Sequence, residues 1–152
     1  MSSRRIRFAA IPAAAFALLV AGCGGGGGRK ALTKQEYGSE LSQICKDSND
    51  KLNGLGLTGM ASFKDKGDEA VKIAEDTVKA FDDLKAPGEI RDAAKTFTDS
   101  AGQIVQDLRN ANEAAKKDDQ ASFNAAVTAA QSHGHENDNA ATEIGAKECV
   151  SG

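Results

Sequence analysis

Ile90, Ala94, Phe97, Ala101, Ile104, Leu108, Ala111 and Ala115 follow one another at alternating spacings of four and three residues, without a break. At 3.6 residues per turn these positions share one side of a helix, and repeated over about seven turns they form a seam for antiparallel neighbours. Such a stripe is stable only when other elements cover it. The chain must therefore contain further helices that present apolar faces of their own.

Three such segments are present. Leu32-Thr33-Lys34-Gln35-Glu36 reads as a helix start, with Thr33 and Glu36 placed as a capping box. Tyr37, Leu41, Ile44, Cys45, Leu52 and Leu55 then fall on one face, and Gly54 and Gly56 end the helix. A second helix is expected to begin between Ser62 and Asp68 and to run to Leu84, with Phe63, Ala70, Val71, Ala74, Val78 and Phe81 as its stripe. Ala86-Pro87-Gly88 stops it, because the residue before proline is pushed out of the α region. After the third helix, whose end Lys116 and Lys117 suit electrostatically, Asp118 and Asp119 are candidate caps for a fourth. The fourth stripe begins at Phe123, Val127 and Ala130, meets Gly134 and Asn137, and recovers at Ala141 and Ile144. A kink or break is expected over Gln131–Asn139, and Gly145 suits the left-handed terminating position.

No segment alternates with period two, so no strand is expected. The fold class is all-α: an up-down-up-down four-helix bundle with a kinked or broken last helix. That topology gathers Tyr37, Phe81, Leu84, Ile90 and Ile144 at one end, and Leu55, Phe63, Leu108 and Phe123 at the other. Alanine fills much of the seam, drawing the helices close and leaving little room for a large buried ligand.

The N-terminus follows different rules. Arg4, Arg5 and Arg7 precede an apolar run from Phe8 to Val20, and small residues follow it. This is the pattern of a secretory signal peptide over 1–22. The run falls short of the roughly 20 residues that a membrane span requires. Arg7 stands where a twin-arginine signal has an apolar residue, so the general secretion route is expected. Val20-Ala21-Gly22-Cys23 resembles the lipobox of bacterial lipoproteins. The resemblance implies that Cys23 carries diacylglycerol and palmitate and becomes the first residue of the mature protein. Two or more acyl chains give lasting anchorage where one is marginal. The partner at this end is thus membrane lipid, and the expected location is the cell membrane, facing outside the cytoplasm.

Residues 23–31 form the lipidated cysteine and a tether. Gly24 to Gly28 are an unbroken glycine run, too flexible to pack and without the Gly-Lys-Ser/Thr of a phosphate loop. Residues 32–152 form the bundle domain. The signal peptide holds three of the 19 basic side chains and no acid, which leaves 16 basic against 22 acidic and a formal charge of −6. An acidic domain of this kind is not expected to bind nucleic acid, which demands a basic face. Arg29, Lys30 and Lys34, next to the anchor, either rest on anionic lipid or simply solubilise the tether.

Cys45 and Cys149 remain once Cys23 is lipidated. An even pair in an exported chain predicts a disulfide; the alternative is two buried free thiols. The segments around them, Lys34-Gln35-Glu36-Tyr37 leading to Ile44-Cys45, Leu84-Lys85-Ala86-Pro87, and Gly145-Ala146-Lys147-Glu148-Cys149, resemble small helical envelope lipoproteins of actinobacteria. That likeness supports the bundle and the bridge, and it implies no catalytic residues.

His133, His135, Glu136 and Asp138 form the one cluster of metal-competent side chains in the sequence. On an unbroken helix the two histidines point about 200° apart, so a shared ion would require a break at Gly134. No Gly-x-Ser-x-Gly elbow or Cys-x-x-Cys-His motif is present, and no cofactor is called for. The expected function is a non-catalytic binding or interaction module of the cell envelope, meeting an envelope protein or a small ligand. A ligand- or metal-binding protein using His133–Asp138 is the alternative, and an enzyme the third reading.

Overall fold

The computed structural model describes residues 32–151. The expected signal peptide, the expected lipidation at Cys23 and the expected glycine tether lie outside the described residues. Four α-helices, Lys34–Gly54 (α1), Met60–Asp82 (α2), Arg91–Lys116 (α3) and Gln120–Ile144 (α4), make up the domain, with short 3₁₀ turns at Gly88–Ile90 and Lys147–Cys149. No strand occurs among the described residues.

The helix boundaries follow local chemistry. Thr33 Oγ1 accepts from Glu36 N at 3.2 Å, and Thr33 N donates to Glu36 Oε2 at 2.8 Å, which completes the capping box. The second helix starts at Met60, earlier than the sequence suggests. Ser62 Oγ accepts from the backbone N–H groups of Thr58 (2.9 Å) and Gly59 (3.1 Å), so a side chain inside the first turn satisfies donors ahead of the helix. It ends at Asp82 rather than Leu84. Between α3 and α4 the two aspartates divide the work. Asp118 takes the left-handed conformation (φ 55°), and Asp119 caps α4 by accepting from Ser122 N at 3.0 Å. Gly145, at φ 90°, terminates α4 as the sequence implied.

The expectation of a break at Gln131–Asn139 is corrected: α4 is helical throughout. Asn137 is tolerated in the seam because its Nδ2 donates to Phe97 O at 2.9 Å and to Ser100 Oγ at 3.0 Å. With those bonds made, burying the amide carries a much reduced desolvation penalty.

The packed core divides in two. Tyr37, Leu41, Phe81, Ile90, Phe97 and Ile144 belong to one cluster, with Leu84 packed against it. Ala111, Ala115, Phe123 and Ala126 form the other, with Phe63 against it. Each cluster holds an edge-to-face phenylalanine pair: Phe81 with Phe97 at 5.0 Å and Phe63 with Phe123 at 5.3 Å between ring centres. The third helix packs against both α2 and α4, while α1 packs against α2 and the C-terminal 3₁₀ turn. That turn carries Cys149, which is bonded to Cys45 of α1 with 5.1 Å between their Cα atoms. No helix among the described residues is long and apolar enough to cross a membrane.

Candidate functional site

Between the two clusters the seam of α3 loosens. Ile104 and Leu108, which the heptad pattern places at the heart of the seam, are only half-buried, and Val105 is buried in their stead. Ala94, Phe97 and Ala101 before them and Ala111 and Ala115 after them are buried, so the loosening is confined to the middle of the helix. Two hollows open there, and Leu108 lines both.

The larger is an open groove of about 510 Å³ walled by α2, α3 and α4. Phe63, Leu108, Ala111, Ala126, Val127 and Ala130 make it apolar, and Asp107, Gln131, His135 and Ser151 line it as well. The smaller, about 160 Å³, lies among all four helices and reaches the disulfide. Its walls include Phe81, Phe97, Ala101, Ile104, Cys45 and Cys149, with Ser48, Thr77 and Asn137 as buried or half-buried polar members.

The polar groups around these hollows are mostly matched to one another. Thr77 Oγ1 donates to Ile73 O at 2.7 Å and lies 2.9 Å from Ser48 Oγ. Asp107, whose side chain is 10% exposed, meets His133 Nδ1 at 2.7 Å. Asn112 Nδ2 donates to Asp68 Oδ1 at 2.7 Å, while Asn112 Oδ1 is buried without a partner against Gly67. Asp68 also accepts from Lys116 at 2.6 Å. The Lys116 bond first and the Asn112 bond second hold its carboxyl below the usual carboxylate range.

The four candidate metal ligands are not brought together. His133 is taken by Asp107, His135 borders the groove, and Asp138 holds the C-terminal tail by accepting from Ser151 N (2.9 Å) and Ser151 Oγ (2.6 Å). Continuity of α4 is the physical reason, because it fixes the divergence that a break would have removed. No group of three or more His, Cys, Asp or Glu side chains able to hold a metal ion occurs among the described residues. Sequence reasoning missed Asp107 as a partner for His133. The available signal was an acid three residues after Ile104 and four before Ala111, flanking an apolar stripe.

No family model, curated protein or solved structure matches the chain.

Proposed function

We propose that this chain is a lipid-anchored, extracytoplasmic binding module of the cell envelope, held at the membrane through Cys23 and acting without catalysis. Its helices are read as an up-down-up-down bundle that presents the groove between α3 and α4 to an envelope protein. The observation that carries this reading is the groove itself. An open, largely apolar trough of about 510 Å³ suits a partner's side chains better than solvent. The signal peptide and lipobox pattern supply the location, and the net acidity of the mature chain argues against a phosphate backbone as the partner.

The test uses charge placed in the groove. Ala130→Asp and Gly134→Asp sit on the half-buried wall of α4 that lines the groove, outside the packed clusters. In capture from envelope extracts, the wild-type chain should retain a partner that both variants lose while keeping their helical circular dichroism. A parallel Cys23→Ala chain should leave the membrane fraction or stall in processing. Identical capture by wild type and both variants would remove the groove from consideration, and a Cys23→Ala chain processed and membrane-bound as before would remove the anchor.

A further inference from the structure

The α3–α4 groove asks for little polar chemistry in what fills it. Asp107, the one carboxylate in its lining, is matched to His133, and Ser151 is bonded to Asp138. Gln131 and His135 are exposed and meet solvent. Most of the remaining wall is apolar, and Phe63, Leu108, Val127 and Ala130 are each only half-buried. A peptide backbone laid here would lose hydration without gaining partners, whereas an alkyl chain has no polar group to satisfy.

The position of the chain's start supplies the second observation. Leu32, where the described chain begins, packs against the cluster that holds Tyr37 and Ile144. A Cβ built on Gly38 would lie 3.0 Å from Ile144 O, so the start of α1 abuts the end of α4. Cys23 stands nine residues before Leu32, and nine extended residues reach about 30 Å. His135, at the near end of the groove, is nine residues before Ile144, about 14 Å along α4. Val127, farther along the same wall, is about 26 Å from Ile144. The groove therefore lies within reach of whatever Cys23 carries.

We propose that the groove seats one acyl chain borne by Cys23 of the same molecule, an inference that rests on the lipid anchor proposed above. Covalent attachment through a short linker presents the chain at an effective concentration of about millimolar order, an advantage that no free amphiphile has. The open side of the trough lets the chain leave again for a bilayer. A partner that enters the groove displaces the chain, so partner binding and membrane insertion favour one another.

The test uses the mature chain that begins at Cys23. With Cys45 and Cys149 bonded to each other, Cys23 is its one free thiol. N-dodecylmaleimide therefore alkylates that position alone, and N-ethylmaleimide gives a matched control. Methyl NMR of Leu108, Ala126, Val127 and Ala130 should show shifts in the dodecyl adduct that the ethyl adduct lacks and that dilution leaves unchanged. Ala130→Asp should remove the shifts at the other three residues. The wild-type pair of adducts stands by itself should that variant fold poorly. Identical spectra for the two adducts would overturn the proposal. Shifts that fade on dilution would overturn it too, because the chain would then come from a second copy. The alkyl chain is attached chemically, so either failure would leave the lipobox reading to be decided by Cys23→Ala.

Discussion

At the scale of single residues, the domain depends on a few contacts that composition does not announce. A Cβ built on Gly67 would lie 2.2 Å from Asn112 Oδ1 and 2.7 Å from Asn112 Cγ, so the bare backbone of α2 is what lets α3 come this close. Gly102 has open space where a Cβ would go. The two helical glycines should therefore respond in opposite directions. Gly102→Ala should stabilise by up to about 1 kcal/mol through helix propensity, whereas Gly67→Ala should destabilise by about 1–3 kcal/mol through overpacking; urea midpoints decide both. Asp107 and His133 offer a second test. Removing His133 strands a nearly buried carboxylate, so His133→Ala should cost about 1–3 kcal/mol. Replacing both partners with apolar residues, as in Asp107→Leu with His133→Leu, should recover much of that loss, and a double-mutant cycle that shows simple additivity would disprove the coupling. None of this was visible in the sequence. Asp107 and His133 are 26 positions apart, and only the register of α3 against α4 brings them together.

At the scale of elements, starts and stops were legible because they are local. Thr33 with Glu36, Asp119 and Gly145 each act within a few residues of themselves, and all three perform the roles their positions implied. The second helix began early because the deciding residue, Ser62, caps backwards from inside the helix. The continuity of α4 was not legible, since Asn137 is made acceptable by Phe97 and Ser100 on a different helix. That difference also decided the fate of the proposed metal cluster. The Asp119 cap carries a pH dependence. Bonds from the Ser122 hydroxyl and then the Ser122 backbone N–H hold its carboxyl below the usual value. A lowered carboxyl pKa contributes stability in full above the ordinary carboxylate pKa near 4, and that contribution is lost as pH falls through the folded-state value. Asp119→Asn keeps the capping geometry without the titration. Between about pH 5 and pH 2, its denaturation midpoint should fall less steeply than that of the wild-type chain.

At the scale of the whole molecule, the all-helical class and the Cys45–Cys149 bridge were both readable, the first from periodicity and the second from counting cysteines in a chain whose N-terminus reads as an export signal. The hollows were not. Alanine suggested a closed core, but Ile104 and Leu108 are left half-covered between two packed ends. The bridge joins positions 104 residues apart. In the chain-entropy model a loop of that length stabilises by about 4–5 kcal/mol, within a usual observed range of about 2–5 kcal/mol. Cys45→Ser with Cys149→Ser should lower the melting temperature markedly, and reductant should do the same to the wild-type chain. An unchanged melting temperature in either case would show that the bundle closes without it.

The same bridge fixes how the molecule would respond to being pulled. Covalently, Cys45 and Cys149 form a short circuit across the domain, and residues 46–148 lie inside the closed loop. Tension applied between the tether and the C-terminal end would travel along the first three turns of α1, cross the sulfur–sulfur bond and leave through the last residues. The second, third and fourth helices lie wholly inside that loop, so their backbone would be bypassed, and most of the walls of both hollows with it, for as long as the bridge stayed oxidised.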